Sequence, residues 1–181
     1  MAKRDWLDAG FAVLAEDGAR ALTVERLCAD LGLTKGSFYH HFRGMSGYKT
    51  ALLEHFENEF TGRYIAEAEQ GDAPADDKLA RLRNRILADH EAERAVEIAM
   101  RAWAMQDPEV YRLHQRMDQR RVEYVASLLR DIGEFGGETE LLARLFYLAL
   151  IGAQQIIPPL PPQDIADIYA FVRRLATKKE Q

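Results

Sequence analysis

Residues 23–42 read TVERLCADLGLTKGSFYHHF, and this stretch decides the fold. Apolar side chains at helical spacing after Thr23 predict one short helix, the segment Gly32-Leu33-Thr34 interrupts it, and a second short helix follows. Gly32 supplies the positive φ that such a turn requires, and Thr34 is a suitable N-cap for the second helix. Two short helices joined by a three-residue turn that contains glycine form a helix-turn-helix.

Charge is distributed unevenly around this motif. The chain of 181 residues has a net charge of −5, which by itself argues against a nucleic-acid partner. Residues 1–50 hold seven basic and six acidic side chains and carry +1, whereas the remaining 131 residues carry −6. Between Asp30 and Glu54 the sequence has three basic side chains and no acid. Because phosphate repels carboxylates, an acid-free window on a helix-turn-helix favours docking on DNA.

Helical periodicity continues through the rest of the chain, and sustained strand patterns are nearly absent. Apolar positions from Leu52 to Tyr64 predict one longer helix, and Asp107-Pro108 opens another that we expect to reach about Ile132. We predict an all-α fold. A three-helix DNA-binding domain with the helix-turn-helix would span residues 1–46, and a larger helical domain would span residues 47–181.

The number of cysteines and the length of the apolar runs predict the cellular compartment. The chain has a single cysteine, which suits a reducing environment. Its start shows no signal-peptide pattern, and its most apolar run has nine residues, whereas a spanning helix needs about 20. We therefore expect a cytoplasmic protein with no membrane partner.

The pattern over about residues 6–56 resembles the tetracycline-repressor (tetR-type) family of bacterial transcriptional regulators. The resemblance rests on Trp6-Leu7-Asp8-Ala9-Gly10, Gly18, Leu22-Thr23-Val24, Leu27 and the run from Gly32 to Phe42. It implies an all-helical homodimer in which residues 47–181 form the ligand-binding and dimerisation domain and couple a small-molecule cavity to DNA affinity. Two recognition helices in such a dimer fit successive major grooves, so we expect a palindromic double-stranded DNA operator. We therefore expect a dimeric, sequence-specific transcriptional regulator, and specifically a repressor released by a small apolar or aromatic ligand.

The resemblance also implies which side chains face DNA. Hydroxyl groups at the helix starts would contact phosphates, and the exposed face of the second helix would lie in the major groove. Lys35 is the best candidate for a guanine contact. Met45 stands where the family usually offers a lysine to the DNA backbone, so Lys49 or Arg43 would have to supply that contact. The implied DNA-binding residues are Thr23, Thr34, Lys35, Gly36, Ser37, Tyr39, His40 and Lys49.

Several of these residue types have a second interpretation. Tyr39 could instead seal the motif as a half-buried aromatic side chain. The adjacent pair His40-His41 could bind a metal ion, although adjacent helical residues point about 100° apart. Cys28 is either a small apolar residue at a helix crossing or a redox sensor. The pair Lys3-Arg4 either follows a minor groove or forms a solvated terminus.

Methionine and aromatic side chains recur along the two helices predicted between about residues 92 and 132. Flexible thioethers and flat rings suit a cavity for an apolar or aromatic ligand, but the same residues at helical spacing can equally fill a core. His114 would offer the ligand a polar group. The candidate ligand-binding residues are Trp103, His114, Met117 and Tyr147.

The last two predicted helices carry more apolar surface than one packed face needs. The helix over about residues 139–155 is apolar on more than one side, and the helix over about residues 163–176 adds a second stripe. Two such hairpins about a two-fold axis would form a four-helix dimer interface, although burial inside one chain also explains many of these positions. The candidate dimer-interface residues are Leu141, Leu145, Leu148, Gly152, Ile165, Ile168 and Val172.

Signatures of catalysis are not visible in this sequence. It contains no paired carboxylates beside a histidine, no zinc-protease HExxH pattern, no glycine-rich phosphate loop and no local Ser-His-Asp signature. We therefore expect neither an enzyme nor a cofactor or metal ion. Two other functions remain open. One is a helical small-molecule-binding protein or enzyme whose helix-turn-helix is only structural, and the other is a protein–protein adaptor.

Overall fold

The structure is a computed structural model of the chain, and it describes residues 2–89, 91–133 and 135–177. Within these ranges every regular element is helical and no strand occurs, so the predicted all-α fold is confirmed. The α-helices are α1 (Lys3–Asp17), α2 (Val24–Leu31), α3 (Lys35–His41), α4 (Gly44–Glu57), α5 (Arg63–Ala68), α6 (Ala75–Leu87), α7 (Glu91–Ala104), α8 (Pro108–Ile132), α9 (Thr139–Gln155) and α10 (Pro162–Thr177).

Short non-α turns interrupt this series in three places. Two 3₁₀ turns span Ala19–Ala21 and Gly136–Glu138, and a π-helical turn over Asn58–Gly62 joins α4 to α5. The predicted helix from Leu52 to Tyr64 therefore contains a π turn. The helical periodicity in the sequence shows no separate sign of this turn, because π turns are rare and occur as single turns inside longer α-helices.

Glycines and capping threonines set the ends of the first helices, as the sequence predicts for Gly32 and Thr34. Gly18 follows α1 with a φ of 75°, and Gly32 follows α2 in the left-handed region with a φ of 65°. The hydroxyl oxygen of Thr23 accepts a 3.2 Å hydrogen bond from the backbone N–H of Arg26 at the start of α2. Thr34 caps α3 in the same way, through a 3.3 Å bond from the N–H of Ser37. These contacts place α3 after a tight turn.

The described chain forms two compact units, each made of two stretches of sequence. The first unit comprises Met1–Phe60 and His90–Gln115, and it therefore holds α1 to α4, α7 and the first part of α8. Within it α1 packs against α2, α4 and α7. Its fully buried side chains include Trp6, Leu14, Leu27, Phe38, Tyr48, Leu52, Phe56, Met100 and Val110. The predicted domain boundary between residues 46 and 47 falls inside this unit and stays a prediction.

The second unit comprises Thr61–Asp89 and Arg116–Gln181. One apolar cluster in it joins α8 to α9 through Ala126, Leu129, Phe135, Leu142 and Ala143, with Val172 of α10 packed against them. A smaller cluster joins Tyr64 and Ala68 to Leu82 of α6. None of the helices in the described ranges combines the length and the apolar composition that crossing a bilayer requires.

Candidate nucleic-acid interface

The short helix α3 is fixed to the first unit by its aromatic residues. Phe38 is completely buried, and its ring lies edge-on to that of Trp6 with centroids 5.5 Å apart. Phe42, which follows α3, is also buried and packs against Tyr48 at 4.9 Å between centroids. Both phenylalanines face the interior of the first unit. The opposite side of α3 is therefore left towards solvent.

The exposed side of α3 carries most of the side chains expected to meet DNA. Thr34, Lys35, Gly36 and His40 are exposed, and Ser37 is partly exposed. Tyr39 keeps 58% of its surface accessible, and its ring lies nearly perpendicular to that of Phe38 with the centroids 5.5 Å apart. A side chain that sealed the motif would be much less exposed. This geometry favours a contact role for Tyr39, and the DNA contacts themselves stay predictions.

The two capping threonines can bind a phosphate without giving up their structural bonds. Each hydroxyl of Thr23 and Thr34 uses a lone pair to accept from a backbone N–H. A hydroxyl group also has one proton of its own to donate. That proton remains available for a phosphate oxygen at the starts of α2 and α3.

Glycine at position 36 is not required by the backbone or by packing. A Cβ atom built there would lie 3.6 Å from the hydroxyl oxygen of Thr34, which is an ordinary contact. The fold therefore tolerates a larger residue. The absence of a side chain instead leaves room beside Lys35 for an approaching molecule.

An acidic residue that sequence reasoning missed lies beside the predicted base-reading lysine. The ammonium of Lys35 donates a hydrogen bond to the carboxylate of Glu25, which is in the first turn of α2. The hydrogen bond from Lys35 lowers the pKa of Glu25, and Glu25 raises the pKa of Lys35. The window between Asp30 and Glu54 is free of acid along the chain, but the turn brings an acid to it in space.

Lys49 is also held by carboxylates. Its Nζ atom lies 2.7 Å from an oxygen of Asp107 and 2.8 Å from one of Glu109, and 5.6 Å from the centre of the Trp103 ring. The predicted phosphate contact by Lys49 would have to compete with both acids. It stays a prediction, and the exposed Arg43 at the start of α4 is the other candidate. No local sequence signal links Lys49 to residues 58 and 60 positions away.

The predicted ligand-binding residues fall into both units. Trp103 and His114 belong to the first unit, where His114 is buried with its ring 5.6 Å from that of Phe56. Met117 and Tyr147 belong to the second unit, and Met117 is completely buried. The four residues are therefore not gathered within one unit, and their ligand role stays a prediction.

Tyr147 has a polar setting that the sequence did not predict. Its hydroxyl donates a 2.6 Å hydrogen bond to Asp118 and lies 3.4 Å from a guanidinium nitrogen of Arg121. Arg121 also donates a 2.8 Å bond to the buried hydroxyl of Thr61. Burial raises the pKa of Tyr147, with Asp118 acting in the same direction. A ligand that reached this ring would meet charged groups as well as apolar ones.

The predicted dimer-interface residues separate into exposed and buried sets. On α9, Leu141, Leu145, Leu148 and Gly152 are exposed, and Leu148 keeps 66% of its surface accessible. On α10, Ile165 keeps only 6%, and Val172 packs against the α8–α9 cluster. Ile168 is partly buried. Ile165 and Val172 are thus covered mainly by their own chain, while the α9 set is available to a partner.

Metal-binding and redox roles gain no geometric support among the described residues. Within them no group of three or more His, Cys, Asp or Glu side chains is placed to hold a metal ion. The rings of His40 and His41 are 5.3 Å apart and nearly perpendicular. Cys28 is a free, buried thiol in α2. Its burial agrees with the interpretation as a small apolar residue.

Comparison with known proteins adds to this geometry. Residues 7–57 match the family model described as "Bacterial regulatory proteins, tetR family". No curated protein matches the chain. Among solved structures, a tetR-family transcriptional regulator from Rhodococcus is 19% identical, with a TM-score of 0.78 over 97% of this chain and 98% of its own. The reduced form of Escherichia coli NemR is 17% identical, with a TM-score of 0.78 over 96% and 97% of the two chains.

A third similar structure carries a small molecule. It is a transcriptional regulator from Saccharomonospora viridis in complex with choline, 16% identical, with a TM-score of 0.74 over 96% of this chain and 94% of its own. At these identities the likeness is one of fold. The matching structures span nearly the whole chain, whereas the family model covers only its N-terminal part.

Proposed function

We propose that the chain, whose residues 7–57 match the family model of the tetR bacterial regulatory proteins, belongs to that family and is a homodimeric, operator-binding repressor released by a small molecule. The observation that carries the proposal is the two-sided character of α3. Phe38 and Phe42 anchor the helix, while Thr34, Lys35, Gly36, Tyr39 and His40 are exposed. A helix presented in this way can enter the major groove of DNA.

Each exposed residue has a distinct part in the proposed contact. Thr23, Thr34 and Tyr39 donate hydrogen bonds to phosphate oxygens, which fixes the position of α3. Lys35 reads a guanine through its two major-groove acceptors, and Ser37 and His40 contact neighbouring base edges. Gly36 lets the backbone approach the groove closely.

The proposed dimer makes this short helix sufficient for recognition. One helix of seven residues reads few base pairs. Two copies held roughly 34–36 Å apart fit successive major grooves and a palindromic site. The exposed apolar residues on α9, namely Leu141, Leu145, Leu148 and Gly152, form the proposed interface, with Ile168 of α10 beside them. The buried Ile165 and the partly buried Val172 support α10 from within its own chain.

The proposed effector is a small molecule that stabilises one spacing of the two recognition helices over another. Trp103, His114, Met117 and Tyr147 are the proposed contacts. A choline complex in a protein of this fold supports the general ability to hold a small organic molecule. Differential affinity for the two spacings is what release requires, because a ligand that binds both equally shifts nothing. The proposal assigns the protein no catalytic step.

The proposal is tested by selecting duplexes from a random DNA pool with the full-length protein and measuring their affinity over a salt series. We expect one palindromic duplex to be enriched, and its binding to weaken as salt increases. Lys35→Ala should lower the preference for that duplex over random DNA, and Tyr39→Ala should weaken binding to both. A protein that enriches no duplex would show that the proposed function is wrong.

A matched variant controls for the loss of an exposed tyrosine. Tyr111 on α8 is 53% exposed, close to the exposure of Tyr39, and lies outside the helix-turn-helix. Tyr111→Ala should bind DNA as the wild-type protein does. If Tyr39→Ala and Tyr111→Ala weakened DNA binding equally, Tyr39 would not be a DNA contact.

A further inference from the structure

Glu25 and Lys35 connect the starts of two helices. Glu25 is in the first turn of α2, two residues after the cap Thr23, and Lys35 is the first residue of α3, directly after the cap Thr34. The Lys35 ammonium donates to a carboxylate oxygen of Glu25. The acid therefore lies among the groups that would contact phosphates and bases.

A carboxylate in this position weakens binding to DNA by its charge, so its presence calls for a compensating role. It repels phosphate, and it satisfies one of the three donors of the lysine that should read a base. Both side chains are well exposed, with 59% of Lys35 and 68% of Glu25 accessible, so neither is needed for packing. Asp30, the other acid of α2, pairs with Arg26 instead of with Lys35. The Glu25–Lys35 pair is thus a feature of the reading surface rather than of the core.

We propose that Glu25 is a specificity-determining residue, which holds Lys35 away from phosphates so that this lysine engages DNA only where a guanine is correctly placed. The inference rests on the proposed DNA-binding function. At a correct site, the two acceptors of guanine replace the carboxylate as partners of the ammonium. At an incorrect site, only the backbone phosphates are within reach, and Glu25 competes with them for the same ammonium. Glu25 therefore weakens non-specific binding more than specific binding.

Replacing Glu25 by glutamine tests this directly, because the amide keeps the size of the side chain and removes its charge. The duplex enriched by the wild-type protein and a random duplex of equal length serve as probes. Glu25→Gln should tighten binding to random DNA about threefold to fivefold, while binding to the enriched duplex changes less than twofold. The ratio of the two affinities should therefore fall by about threefold. An unchanged ratio would overturn the inference.

A second background shows whether Glu25 acts through Lys35. In Lys35→Met protein, which lacks the ammonium, Glu25→Gln should leave the ratio of specific to random affinity unchanged. If the ratio falls as much in this background as in the wild type, Glu25 acts independently of Lys35 and the inference is wrong. Glu25→Asp, which retains the charge, should restore part of the discrimination that Glu25→Gln loses.

A matched acid controls for the change in net charge. Glu16 belongs to the same unit and pairs with Arg26 rather than with a residue of α3. Glu16→Gln should leave the ratio unchanged, and an equal fall for Glu16→Gln and Glu25→Gln would show that net charge alone is responsible. A protein that enriches no duplex overturns the proposed function. A protein that enriches a duplex with the same preference before and after Glu25→Gln overturns only this inference.

Discussion

The hydroxyl group of Tyr48 donates a 2.8 Å hydrogen bond to the backbone carbonyl oxygen of Trp6, and so joins α4 to α1. Tyr48 is completely buried, and burial, with the nearby Asp8, raises the pKa of its hydroxyl. The bond passes over Gly10, where a Cβ atom would lie 1.9 Å from the Tyr48 oxygen. The close approach of α1 and α4 therefore depends on a glycine facing a tyrosine.

Gly10→Ala should destabilise the first unit by about 2 kcal/mol, because the new methyl group cannot fit without moving Tyr48 or the two helices. Thermal or urea unfolding followed by circular dichroism measures the change. Gly47→Ala is the matched control, since a Cβ atom there lies 3.6 Å from its nearest neighbour and alanine favours the helix. Equal destabilisation by both variants would contradict the steric argument.

Tyr48→Phe should cost about 1 kcal/mol of unfolding free energy, since it removes one buried hydrogen bond and leaves the ring in place. In the Gly10→Ala background, Tyr48→Phe should lower the unfolding free energy by less than it does in the wild type, or should even raise it. The atom that a Cβ would meet at 1.9 Å is then gone, and the next ring atom is 3.1 Å away. A double-mutant cycle measures this coupling. Additive effects would show that Gly10 and Tyr48 do not share one constraint.

Asp107→Asn should lower stability by about 1 kcal/mol near neutral pH, by weakening the bond to Lys49 while keeping an oxygen to cap α8. Burial disfavours the charged carboxylate, but hydrogen bonds from Lys49 and from the N–H groups of Val110 and Glu109 outweigh it and lower the pKa of Asp107. A lowered folded-state pKa stabilises the fold above the unfolded value near 3.8, and this stabilisation is lost as the pH falls through the folded value.

The stability lost in Asp107→Asn should depend on pH in a defined direction. The difference in unfolding free energy between wild type and Asp107→Asn should be largest at neutral pH and should shrink on acidification below about pH 4. Urea titrations at several pH values provide the measurement. A difference that grows on acidification would mean that Asp107 is not the stabilised anion in this contact.

Leu148→Glu should convert the proposed dimer into a monomer, because a charge at the centre of the exposed α9 stripe would be buried on association. Size-exclusion chromatography with light scattering gives the mass of each variant. Met105 is 77% exposed in the first unit and outside the stripe, so Met105→Glu is the matched control and should remain dimeric. A Leu148→Glu protein that is still dimeric would place the interface elsewhere.

Sequence reasoning predicted the helix-turn-helix well because its determinants are local. Gly32 and the caps Thr23 and Thr34 each act within three or four residues of their own position. The contacts that it missed join distant residues. Nothing in the spacing of Lys49 and Asp107, or of Glu25 and Lys35, indicates that a turn brings their charges together.

For a related reason, the sequence does not indicate which apolar residues of the second unit are buried and which are exposed. Leu148 and Ile165 both belong to apolar stripes at helical spacing, yet the first is exposed and the second is covered by its own chain. Periodicity identifies the apolar face of a helix but not the surface that covers it. The direction in which each stripe points is set by how α8, α9 and α10 pack together.

Both tryptophans of the chain, Trp6 and Trp103, belong to the first unit, and the second unit has none. Trp6 is fully buried, whereas Trp103 is half-buried with the Lys49 ammonium over its ring. Intrinsic fluorescence at tryptophan wavelengths is therefore a spectroscopic reporter of the first unit, while far-ultraviolet circular dichroism follows the helices of both. Comparing the two signals during unfolding separates the melting of the helix-turn-helix unit from that of its neighbour without any added label.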